Sequence, residues 1–135
     1  MGAYLFAAAA VLAVLGILFV FKRNVDILKK DPDLITKVNN KLFIGVAISE
    51  AIPIVLIIIG FVTMETVSNI SELMVPGVII IMTMVFAIIF ILLQTRIDVD
   101  EKSKSTVNSF GMITIALANA IPLISVAGLF MMMPS

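Results

Sequence analysis

Four long apolar runs divide this chain, at residues 3–21, 42–64, 76–93 and 110–133, and none holds more than one ionisable side chain. Crossing a hydrocarbon core of about 30 Å takes roughly 20 apolar residues in a helix. Each run is therefore close to the length of one membrane crossing. Inside lipid the backbone must satisfy its own hydrogen bonds, which leaves helices as the expected form of all four. The expected fold class is an all-α membrane protein of four transmembrane helices.

Composition agrees, since 61% of the 135 residues are hydrophobic and 13% are charged, against roughly 25% charged in an ordinary soluble domain. The polar connections fall at 22–41, 65–75 and 94–109. The first holds Asp31-Pro32-Asp33, whose proline disfavours an unbroken helix, so a hairpin connection with helical arms is expected there. The basic pair Lys22-Arg23 follows the first run instead of preceding it. That order predicts a retained span, not a cleaved signal peptide.

Every lysine and arginine lies in the 22–41 or the 94–109 connection. The positive-inside rule then places both basic loops in the cytoplasm, with the termini and the 65–75 loop on the outer side. The chain has no cysteine and no histidine, which argues against disulfides, thiolate catalysis and zinc or haem ligation. No metal or cofactor is expected, nor enzymatic chemistry. The nine basic and nine acidic residues balance to zero, so no basic field argues for nucleic acid.

An internal repeat accompanies this layout. At an offset of 69 positions, Val38-Asn39 superposes on Val107-Asn108, Ile44 on Ile113, Ala47 on Ala116, Ala51-Ile52-Pro53 on Ala120-Ile121-Pro122, and Phe61 on Phe130. This pattern predicts two tandem-repeated helical hairpins, 1–68 and 69–135. At the same offset Glu50 corresponds to Asn119, so only the first hairpin carries a titratable group at this place.

Glu50 is the chemical focus. An ionised carboxylate at a helix centre costs roughly 2.5–3.5 kcal/mol on insertion scales, and hydrocarbon favours its neutral, protonated form. A group that ionises only on meeting water suits reversible proton binding, while a neutral acid bonded to a backbone carbonyl would serve as helix–helix glue. Ser49 precedes it and offers a hydroxyl. Pro53 and Pro122 are expected to kink their helices and to free the carbonyls of residues 49 and 118. Asn119 is expected to be a structural polar residue hydrogen-bonded to Thr83 or to the carbonyl of Ala118 or Leu117. The run Ala7–Ala10, with Ala13 and Gly16, gives the first helix a small-residue side for close packing.

The segment Phe43-Ile-Gly-Val-Ala-Ile-Ser-Glu50-Ala-Ile-Pro53-Ile, preceded by Lys30-Asp-Pro32, resembles the outer helix and loop of rotary ATP synthase and ATPase ring subunits, the proteolipid family. The segment Ala116-Leu-Ala-Asn119-Ala-Ile-Pro122-Leu is similar in all but the acid, as in duplicated, vacuolar-type subunits. The first helix lacks the repeated Gly-x-Gly series of that family. The bulky Ile79-Ile80-Ile81-Met82 then implies a wider ring.

The resemblance implies a non-catalytic, proton-binding rotor subunit. It would self-associate into a ring, meet a stator subunit with aqueous half-channels, and touch a central stalk through its cytoplasmic loops. Ala51 after the acid and the absence of glutamine from the first span favour protons over sodium. Two other classes stay open: a ring-like scaffold without transport, and a small proton-coupled exporter.

Overall fold

The structure is a computed structural model and describes residues 2–134. Four helices account for most of it: α1 (Gly2–Lys30), α2 (Ile35–Val62), α3 (Met74–Gln94) and α4 (Glu101–Met131). All four are long and apolar enough to cross a membrane. The protein is an all-helical, integral membrane protein by this measure, and the described residues contain no strand.

Helix lengths differ in a way that shapes the molecule. At 1.5 Å per residue, the 29 residues of α1 and the 31 of α4 reach roughly 43–47 Å, well beyond a hydrocarbon core. The 21 residues of α3 reach only about 32 Å. Thus α1 and α4 continue past the apolar region where α3 stops. The polar stretch at 94–109 is accordingly shorter as a loop than the sequence suggests, because α4 already begins at Glu101. Nothing in residues 101–109 breaks a helix, and Asp100 and Glu101 suit its positive N-terminal end.

The connections follow local rules. Asp31 accepts a hydrogen bond from the Asp33 amide at 3.1 Å, opening a single 3-10 turn at Pro32–Leu34 before α2. Asn69 and Glu72 form a capping box on the second such turn, Ile70–Leu73, which leads into α3. Pro76 lies in the first turn of α3, where its missing N–H has no intrahelical partner to lose.

Antiparallel neighbours are read from close approaches. Gly60 and Gly16 of α2 and α1 lie against Phe6 and Ser49 respectively, and Gly45 lies against Val20. The α4 partners of α1 are fixed by two hydroxyls. Ser125 donates to the Phe6 carbonyl at 2.9 Å, and Ser103 donates to the Lys29 carbonyl at 3.2 Å. Lys22 of α1 reaches the Gln94 side chain of α3 at 2.8 Å, so these two helices run parallel. The expected hairpin boundary at 68/69 falls in the connection between α2 and α3, but α1 packs against all three other helices. The four helices therefore share one bundle.

The small-residue side of α1 is what permits this. Ala9, Ala10 and Ala13 are wholly buried, and Phe6 is wedged where Gly60 and Gly128 provide room. Apolar side chains left outside cluster on α2 (Ile44, Ile48, Ile52, Val55) and α3 (Val78, Ile81, Val85, Ile89). Faces of this extent fit lipid or a neighbouring subunit, not water.

Candidate functional site at the middle of the bundle

The buried core is split into two apolar clusters stacked along the bundle axis. On α2 the break lies between Val46 and Ile57, on α3 between Ala87 and Ile80, and on α4 between Ala118 and Ile121. Glu50 and Pro53, Thr83, and Asn119 occupy these three breaks. The polar residues singled out from the sequence thus all fall between the two apolar clusters.

Glu50 is partly buried, flanked on its own helix by exposed Ala47, Ile48, Ala51 and Ile52. It sits at the border between the face of α2 packed on α1 and the face left outside. Its Oε1 is buried and has no hydrogen-bond partner. A buried acceptor without a donor is costly, by about 1–3 kcal/mol, and far more so if ionised. The arrangement leaves an acceptor open to a partner outside this chain.

Ser49 does not satisfy that acceptor. Its side chain lies against Gly16, where an added Cβ would stand 2.8 Å from Ser49 Cβ and 2.9 Å from Oγ. Gly16 lets α1 and α2 meet closely one position from the acid. Pro53 is buried inside α2. With no N–H it cannot bond the carbonyl four residues earlier, at Ser49. The proline, the freed carbonyl and the acid thus fall within one turn and a little more of helix.

Asn119 is 8% exposed. Its Nδ2 donates to the Ile115 carbonyl at 3.0 Å, and its Oδ1 is buried without a partner. Thr83 instead donates to the Ile79 carbonyl at 2.7 Å. The expected bonds of Asn119 to Thr83 or to the carbonyl of Ala118 or Leu117 are therefore absent, because each side chain turns back onto its own helix, where the carbonyl four residues earlier is within reach. Pro122 is buried in α4, and its geometry frees the Ala118 carbonyl as Pro53 does that of Ser49. Glu50 and Asn119, matched by the repeat, each keep one buried oxygen without a donor.

The cavities of about 650 Å³ lie at the two ends of the bundle, lined in one case by Arg96 and Lys104 and in the other by Tyr4 and Glu65, and neither reaches Glu50. No cluster of acidic residues among the described residues could hold a metal ion. Sequence reasoning did not find the Ser125–Phe6 and Ser103–Lys29 bonds. Serines carry no sign of an interhelical partner until the helix register is known.

Comparison with protein-family models, with curated proteins and with solved structures finds no match to this chain.

Proposed function

We propose that the chain is a proton-binding subunit of a membrane rotor ring of the rotary ATP synthase/ATPase kind, a non-catalytic subunit that moves protons by reversible protonation of Glu50. The observation that carries this reading is the single mid-bundle carboxyl, its Oε1 buried and undonated, at the edge of an otherwise apolar outer face. A carboxyl so placed can exchange its proton where an aqueous group or a cation is brought to it.

In this reading α1, the most enclosed helix, lies toward the ring interior, and α2 presents Glu50 outward. The two tandem hairpins descend from one duplicated unit, with Asn119 in place of the second acid. Neighbouring copies cover the exposed faces of α2 and α3. A stator subunit supplies the half-channels that the chain does not itself contain at Glu50, and the basic loops face the cytoplasm, where a central stalk would meet them.

Projection imaging of the purified oligomer tests the proposal. The expected result is a closed ring of identical subunits. A particle that is strictly monomeric or dimeric would reject the rotor. A ring whose Glu50→Gln variant behaves identically in every proton-exchange assay would identify a scaffold.

A further inference from the structure

The early end of α3 opens a second polar site, remote from Glu50. Gln94 closes α3 and is held against α1 by Lys22 at 2.8 Å, while α4 begins only at Glu101. Between them the chain reverses through Asp98 at φ 53, a left-handed position that a short polar side chain tolerates. The step between a short helix and a long one leaves a cavity of about 650 Å³.

The lining of this cavity is divided by depth. Arg96, Lys104 and Asn108 stand toward the loop, whereas Leu92, Gly111 and Met112 lie further along their helices into the apolar region. Gly111 lets α4 approach the end of α3 closely at the floor of the groove, since a Cβ there would collide with the Thr95 methyl. Glu101 also lines the cavity, so two cations face one carboxylate. Neither cation is engaged: among the described residues the ion pair joins Lys22 to Asp26, and Arg96 and Lys104 form none.

We propose that this groove binds the phosphate headgroup of an anionic membrane phospholipid, with Arg96 and Lys104 holding the phosphate and Leu92, Gly111 and Met112 seating the first methylenes of its acyl chain. The guanidinium fork of arginine matches phosphate oxygens in pairs. Basic pockets between transmembrane helices are suited to anionic headgroups. The groove opens at the end of the bundle that carries all nine basic residues. A free phosphate would use only the upper half, and the apolar floor selects a lipid. The site makes no use of Glu50 and stands independently of the rotor reading.

Lipid retention measured by native mass spectrometry, with the protein released from nanodiscs containing equal phosphatidylglycerol and phosphatidylcholine, tests the site. Phosphatidylglycerol is expected to be retained preferentially. Arg96→Gln and Lys104→Gln should each lower its retention about fivefold, following the worth of one basic residue near an anionic surface. Glu101→Gln should raise it. The Lys37→Gln/Lys41→Gln pair, which removes twice the charge of either single variant from the other basic connection, should leave it unchanged. Equal loss in that pair would reduce the effect to diffuse attraction and overturn the site. Displacement of the lipid by millimolar inorganic phosphate or glycerol 3-phosphate would assign the groove to a soluble anion. Indifference to headgroup charge would also overturn it.

Discussion

Gly16 and Ser49 are in contact across the α1–α2 interface, so closely that one carbon added to Gly16 would stand 2.8 Å from Ser49 Cβ. The contact lies beside Glu50 and sets how deeply the acid-bearing turn is pressed against α1. Gly16→Ala should push the helices apart, and overpacking of this kind costs about 1–3 kcal/mol. Denaturation in mixed micelles would measure the loss. Stability equal to the unmodified protein would show that the interface yields freely there.

A hydrophobic carbodiimide should modify Glu50 in preference to Glu65 and Glu72. The reagent partitions into lipid and requires a protonated carboxyl, whereas Glu65 and Glu72 are exposed. Glu72 also accepts bonds from the Ser68 and Asn69 amides, at 3.1 and 3.4 Å. Modification should fall as pH rises, because only the protonated acid reacts. Peptide mapping by mass spectrometry reads the site, and labels confined to the loops would end the proton-binding proposal. Protection by sodium would replace the proton with sodium as the bound ion.

Glu50→Gln and Asn119→Leu should separate in function. The amide keeps the shape of the acid yet releases no proton, so Glu50→Gln is expected to assemble and to abolish proton exchange. Asn119→Leu removes one bond within its own helix and also one unpartnered buried oxygen. Its cost should stay near the average of about 0.6 kcal/mol for membrane hydrogen bonds, with proton exchange retained. Loss of exchange in both variants to the same degree would contradict the assignment to Glu50.

Thr83 and Asn119 should be energetically uncoupled. A double-mutant cycle with Thr83→Val and Asn119→Leu is expected to give an interaction energy near zero, because each side chain bonds its own helix. A coupling above about 1 kcal/mol would mean that the two side chains meet across α3 and α4.

Ser125→Ala should weaken the α1–α4 contact where Phe6 is wedged. The bond to the Phe6 carbonyl, 2.9 Å long and fully buried, is lost without a replacement donor. A decrease of about 1–2 kcal/mol is expected. Ser103→Ala, whose bond at 3.2 Å lies at the polar end, should cost less.

Length and hydropathy by themselves determined the four helices, because a backbone in hydrocarbon has few ways to satisfy its hydrogen bonds. They also marked Glu50, Asn119 and the two prolines, since a polar or helix-breaking residue is conspicuous against an apolar run. The small side of α1 was legible for the same reason, in Ala7–Ala10 and Ala13. Register was not. Whether Ser49 turns to Glu50 or to Gly16, and whether Asn119 reaches Thr83 or Ile115, depends on helix rotation and separation, which apolar faces of near-uniform character leave open. Only the packed bundle decided those partners, through Phe6 fitting between Gly60 and Gly128 and through Ser125 and Ser103 bonding to α1. The reason is physical: burial of apolar surface has no direction, whereas close packing and hydrogen bonds admit one register.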